Sequence, residues 1–206
     1  MKSKPIHLNP TNYFPSQWNF LTNKKKARIK AFVGGFGSGK TYTFLNETFI
    51  NLINKKNRDG KSNGLVLYPT YSLADSVFVD PFREILERNG VAYTYNIAQH
   101  KFKTDYGDVK IYQTRYPQRI VGASYTYCGI DELDIENFKT AETTVQKALG
   151  RLRGCDDAVL YITTTPEGFG YTWHLMVQEY NDSKLLVHGK TTDNHYLPES
   201  YIQSLR

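Results

Sequence analysis

The stretch Gly34-Gly35-Phe36-Gly37-Ser38-Gly39-Lys40-Thr41 sets four glycines, a lysine and a threonine between an apolar run, "IKAFVGG", and a helical one, "KTYTFLNETFINLINKK". It satisfies G-x-x-x-x-G-K-[ST] at every fixed position. Glycines let such a loop curl until its N–H groups face phosphate oxygens, beside the partial positive charge at the start of the next helix. Lys40 would add a full charge at the β- and γ-phosphates of a nucleotide, and the Thr41 hydroxyl would ligate Mg²⁺. Phosphate binding alone does not hydrolyse anything; hydrolysis also needs an acid that anchors the metal and a group that activates water.

The run "YCGIDELD" supplies both, since it ends an apolar strand with Asp131 and Glu132 side by side. Strand side chains alternate, so the two carboxylates leave the sheet edge in different directions. Asp131 is assigned to the metal shell and Glu132 to the general base that polarises water toward the γ-phosphate. Asp134 and Glu136 are expected to start and cap the following helix, where acids suit the helix dipole. In "YITTTPEG" an apolar strand ends in Thr163-Thr164-Thr165. Hydroxyls at that tip are placed to sense hydrolysis and transmit it, although threonine is also simply a good strand residue.

The elements that must position these groups alternate along the chain. A short helix over "SQWNFLTNKKK", capped by Ser16, precedes the strand "IKAFVGG" and the helix after the glycines; "NRDGKSNG" then reads as a basic turn. "LVLYPT" is a strand stopped by Pro69, and "SLADSVFVDPFREILERNG" is helical, with Pro81 as a break or new start and Gly90 as its stop. "VAYTYNI" and "KFKTDYGDVKIYQT" read as strands, the latter a hairpin turning at Asp105 to Asp108. "IENFKTAETTVQKALGRLRG" and "GYTWHLMVQEY" are predicted helices, and "AVLYITTTP" and "KLLVHGK" predicted strands. Such alternation predicts an α/β fold with a mostly parallel central sheet covered by helices.

The 206 residues suffice for one such domain, and 40% hydrophobic with 22% charged residues excludes wholesale disorder. The net charge of +6 leans toward a polyanionic partner, with basic runs at Lys24 to Lys30 and Lys55 to Lys61. Cys128 and Cys155 have no CxxC spacing and the five histidines are scattered, so neither a disulfide framework nor a zinc site is expected. No apolar leader or membrane span is read, and a cytosolic protein is expected.

The order GGFGSGKT, a strand ending IDE and a strand ending TTTP resembles the N-terminal ATPase domain of the large terminase subunit, the DNA-packaging motor of tailed bacteriophages. The likeness spans nearly the whole chain. It includes Gln17 in "FPSQWNFL", matching an adenine-contacting glutamine, and "KTTDNHYLPESYIQSL", which looks like the segment closing the ATPase domain. The resemblance implies a P-loop fold of the additional-strand, catalytic-glutamate type, with residues 1–206 as one ATPase domain. Its parts would be a lead-in over 1–30, a core over 31–190 and a closing segment over 191–206. Gln17 and Gly34 to Thr41 would bind the nucleotide, Thr41 and Asp131 the Mg²⁺, and Thr163 to Thr165 would couple hydrolysis to movement.

The implied partners are double-stranded DNA, a portal protein, a small terminase subunit and further copies in a ring, often a pentamer; the implied place is the host cytoplasm, at the procapsid portal vertex. A monomer in isolation is the other state open to this chain. Two positions depart from the pattern. Many relatives carry Arg where this loop has Phe36, and the place where relatives often set a trans-acting arginine is Val121. Arg119 is the nearest candidate for that role, with Arg151 and Arg153 as alternatives. The family's ribonuclease-H-like nuclease would follow the closing segment, so no nuclease activity is expected of these residues. Two other readings stay open: a superfamily 2 helicase-like or recombinase-like ATPase, and a nucleotide-binding assembly module with little turnover as a monomer.

Overall fold

Apolar residues in the central strands are buried toward both faces of the sheet, and the period-two alternation sorts them between two cores. In β1 (Ile29–Gly34) Ala31 joins one core and Phe32 the other; in β2 (Ser62–Tyr68) Leu65 and Leu67 oppose Val66 and Tyr68. A strand buried on both faces needs a helical layer on each. The computed structural model describes residues 8–204, so residues 1–7 of the expected lead-in and 205–206 of the closing segment lie outside it.

One layer comprises α1 (Pro15–Thr22), α2 (Lys40–Asn54), α3 (Tyr71–Ala74) and α4 (Asp80–Arg88). It packs Phe20, Phe44, Leu52, Phe82 and Leu86 against Val66 and Tyr161. The other comprises α5 (Phe138–Arg151) and α6 (Tyr171–Trp173), which pack Ala141, Val145, Ala148 and Tyr171 against Leu65, Leu160 and Ile162. The remaining strands are β3 (Tyr93–Asn96), β4 (Lys101–Thr104), β5 (Gly107–Gln113), β6 (Tyr127–Asp131), β7 (Val159–Thr164) and β8 (Lys184–Gly189). A last helix, α7 (Glu199–Ser204), follows β8.

The sheet order is β3-β4-β5-β2-β6-β7-β1-β8, parallel from β5 to β8 and extended by the antiparallel β4 and β3. β7 therefore lies between β1, which leads into the glycine loop, and β6, which carries the acids. That inserted strand is what the additional-strand type predicts. All the parallel strands end at one edge, so the loops after β1, β6 and β7 meet there.

Several boundaries differ from the sequence-based expectation, each for a tertiary or local reason. Ser16 does not cap α1: Phe14 holds the cap position and the Gln17 side chain reaches back to its N–H at 2.9 Å. β2 begins at Ser62, inside the expected turn, because Ser62 to Gly64 pair with Gly107 to Val109 of β5. Of the two readings of Pro81 the new start holds: α4 begins at Asp80 with Pro81 in its first turn, while the unexpected element is a π-helical turn over Asp75–Val79 that joins α3 to α4 without a break. A second π-turn, His174–Gln178, extends α6.

Asp134 and Glu136 do not start and cap α5. Asn137 caps it, accepting from the Thr140 N–H at 3.0 Å, while Asp134 accepts from the Thr172 N–H at 3.0 Å and Glu136 from the Thr114 hydroxyl at 2.6 Å. Among the described residues no helix is long and apolar enough to cross a membrane.

Candidate functional site

The glycine loop turns on residues a side chain would block. Gly37 and Gly39 hold φ of +73° and +82°, and Gly39 is the residue from which α2 starts. Two bonds from the segment after β8 tie the loop down: the Thr191 hydroxyl donates to the Phe36 carbonyl at 2.7 Å, and the Asn194 amide to the Gly37 carbonyl at 2.6 Å. A peptide unit is planar with C=O and N–H opposed. Drawing the Phe36 carbonyl outward therefore turns the Gly37 N–H the other way. The Leu197 side chain packs so close that a Cβ on Gly37 would lie 2.8 Å from it.

Lys40, 7% exposed, donates to the Gly35 carbonyl at 3.2 Å, and its Nζ stands 3.8 Å from Glu132 Oε1. Phe36 is exposed at the tip of the loop, with its ring centroid 5.8 Å from that Nζ. Thr41 follows on the first turn of α2.

Opposite the loop, register does the positioning. β6 and β7 pair with Asp131 beside Thr163, and the Thr163 hydroxyl donates to Asp131 Oδ1 at 2.5 Å. Asp131 is buried, and burial pushes its carboxyl up to about 7, with the Glu132 charge adding to the rise; the Thr163 bond and Lys40 oppose it. Glu132 takes a left-handed backbone, φ +51°, costing of order 1 kcal/mol or more in a non-glycine residue. The surroundings hold it there: its N–H donates to the Thr163 carbonyl at 2.7 Å, and its Oε2 accepts from the Thr165 N–H at 3.1 Å. The Thr164 hydroxyl accepts from the Asp134 N–H at 3.1 Å. Each of the three threonines thus grips a different part of the acidic loop.

Gln17 is buried beneath the glycine loop, with its amide donating to the Gly39 carbonyl at 3.0 Å. Together with its bond to Phe14, this makes Gln17 a brace between α1 and the loop; the amide nitrogen retains a second proton. It borders a cleft of about 470 Å³ that Phe14, Tyr42, Arg88, Asn194 and Tyr196 also line.

The structure brings Gln17, Lys40, Asp131, Glu132 and Thr163 to Thr165 to one edge around the glycine loop. It does not bring the three arginines to that cluster. Arg119 is exposed on a 3₁₀ turn, 4.7 Å over the Tyr116 ring. Arg151 and Arg153 lie where α5 hands over to β7, at the opposite edge, donating to the Ile120 carbonyl at 3.4 Å and the Ser124 hydroxyl at 3.0 Å.

Sequence reasoning missed Arg88, Thr191, Asn194 and Tyr68. Tyr68 ends β2; its buried phenol is pushed up first by burial and then by the Asp131 charge, and stays neutral beside that carboxylate. The polar run "KTTDNH" after a strand was the only signal for Thr191 and Asn194.

A glycine loop between strand and helix, an acidic pair at the end of β6 and an inserted β7 define a P-loop fold of the additional-strand type. Residues 31–206 match the family model described as terminase large subunit, T4likevirus-type, N-terminal. The chain belongs to that family. Its fold is similar to the large terminase of a thermophilic bacteriophage solved with ADP: TM-score 0.78 at 17% identity, covering 94% of this chain and 49% of that one. The large terminase ATPase domain of a Thermus phage matches with TM-score 0.65 at 16% identity, over 90% of this chain and 80% of that one. The N-terminal domain of the DNA packaging ATPase from bacteriophage phi29 matches at 0.60 and 11% identity, over 92% and 98% of the two chains. The chain spans about half the length of the thermophilic phage terminase. No curated protein sequence matches it.

Proposed function

We propose that residues 1–206 act as one ATPase unit whose hydrolysis of ATP drives translocation of double-stranded viral DNA into a procapsid. The observation that carries this reading is the placement of Glu132: 3.8 Å from Lys40 across the glycine loop, and fixed from behind by Thr163 and Thr165. The glycine loop and Lys40 would take the triphosphate, with the base entering the cleft beside Gln17. A hydroxyl and a carboxylate are the hard oxygen donors that suit Mg²⁺, and Thr41 and Asp131 supply them. Bound Mg²⁺ would neutralise charge on the β- and γ-oxygens.

Glu132 accepts the proton of the attacking water as its oxygen bonds to the γ-phosphorus; the bond to the β-γ bridging oxygen breaks, giving ADP and phosphate. Lys40 balances charge on the transferred group. The threonine clamp joins the acids to β7, so displacement of Glu132 is felt at Thr165 and the loop after it.

Family membership supports the partners of this reading: duplex DNA held by its phosphates, since packaging ignores sequence, a portal protein, a small terminase subunit, and copies of this chain in a ring, taken to be a pentamer. The place of action is then the host cytoplasm, at the procapsid portal vertex. Arg119, exposed and unburdened by any bond to this chain's own site, is our choice for the arginine donated to a neighbour. The decisive variant is Glu132→Gln. Turnover should fall by about 10²-fold or more while ATP affinity is retained. Undiminished turnover would overturn the assignment. Mixing that variant with Arg119→Ala subunits should restore part of the rate; no rescue in assembled rings would point to Arg151 or Arg153.

A further inference from the structure

At the edge of the sheet opposite the glycine loop, three basic segments enter parallel strands: residues 24–30, which include the first two residues of β1, 55–61 before β2, and 151–157 from the end of α5 toward β7. Together they carry eleven Lys and Arg against three Asp, a net of +8, whereas the whole chain carries +6. The rest of the molecule is therefore slightly acidic, and the excess positive charge lies on one edge.

Two clefts run through it. One of about 680 Å³ is lined by Lys25, Lys26, Arg28 and Lys55; the other, of about 460 Å³, by Lys56, Arg58 and Arg153. Two acids are already paired there: Glu47, in the wall of the larger cleft, with Lys30 at 2.8 Å, and Asp157 with Lys55 at 2.5 Å. Asp59 and Asp156 are single exposed charges, and Glu179 and Asp182 lie on the segment before β8, so nine of the eleven cations have no ion pair among the described residues. Lys56 has its pKa lowered by burial and then by the neighbouring Lys61, as expected where like charges crowd.

We propose that this edge binds the phosphate backbone of duplex DNA, which rests on the motor reading above and gives it a surface. From β2 to β1 the sheet order is β2-β6-β7-β1, three inter-strand steps or about 14 Å. A duplex carries one phosphate per 3.4 Å of axis on each strand, so such a row faces about four phosphates of a strand. Asn23 and Asn57 add neutral donors in the same clefts, the mixture that phosphate contacts use. None of the exposed large apolar side chains belongs to these three loops, which disfavours a protein partner, whose binding needs buried apolar anchors. β1 separates this edge from the glycine loop by about 17–20 Å, so DNA and nucleotide can be bound together.

The test is fluorescence anisotropy of a labelled random-sequence duplex against the whole chain across a salt series. Lys24→Gln, Lys26→Gln and Arg58→Gln are combined and compared with Lys103→Gln, Lys139→Gln and Lys147→Gln. The first set should weaken binding about tenfold or more and flatten the salt slope by about 2–3, since each lost phosphate contact is worth about 0.9. The control set should change neither, and both sets should keep basal ATP turnover. Wild-type binding left unchanged by the first set would overturn the surface and leave the motor reading intact; no duplex binding by the wild type would overturn both. Equal affinity and slope for polyglutamate would overturn the assignment to DNA.

Discussion

The two edges of the sheet are built on opposite principles. At the carboxyl edge charged and polar groups are interlocked: buried Asp131 is held by Thr163, half-buried Glu132 by Thr165, and buried Gln17 by Phe14 and Gly39. At the amino edge Lys24, Lys26, Arg28, Arg58, Lys61 and Arg153 stand exposed. Hydrogen bonds in a low-dielectric site fix positions to tenths of an ångström, as a proton transfer requires. Exposed lysines supply a field that does not depend on fixed geometry, which suits a polymer that must slide. In the motor we propose, chemistry and grip would occupy opposite ends of the same parallel strands.

The largest effect that tests this contrast concerns Asp131. Burial pushes its carboxyl from 3.8 up to about 7. A raised carboxyl pKa means that the fold retains a proton the unfolded chain releases. Its contribution is complete below 3.8 and drains away as pH rises toward 7, after which the nucleotide-free fold carries a buried charge. Asp131→Asn should therefore stabilise that form at pH 8 by up to about 4 kcal/mol and hardly at all near pH 3.5, as read by urea unfolding at the two pH values. Equal effects at both would show that Asp131 is not the strained group this burial implies. The same variant should lose ATP turnover.

A middling effect is expected at Thr163→Val, which keeps the strand shape and deletes the donor to Asp131. Stability should drop by about 1–3 kcal/mol and turnover by more than tenfold, with duplex binding unchanged. A turnover rate equal to wild type would mean that the clamp is strand packing and nothing more. The smallest is Asn194→Ala, which frees the Gly37 carbonyl. It should cost about 1 kcal/mol and weaken ATP binding a few-fold, measured by nucleotide titration; unchanged affinity would show that the strap does not set the loop.

How much of this the sequence revealed varied with range. The glycine loop, the acidic pair and the threonine strand end were legible because each is a local pattern whose chemistry needs adjacent residue types. The helix starts went wrong where competition decided them. Asn137, not Asp134 or Glu136, caps α5 because those two acids are drawn to Thr172 and Thr114 from other parts of the chain. Ser16 lost α1 to Phe14 because Gln17 could satisfy the Phe14 N–H and Gly39 together.

By itself the sequence determined the strand, glycine loop and helix that follow one another at residues 29–54, the order of alternating elements and the total charge, since these follow from neighbours and from counting. Tertiary structure alone decided that Thr163 meets Asp131, that Thr191 and Asn194 hold the glycine loop, and that three separate basic segments share one edge. The physical reason is register and strand order. Inserting β7 between β1 and β6, with every strand parallel, sends all strand exits to one side and all entries to the other, and no local pattern encodes that choice.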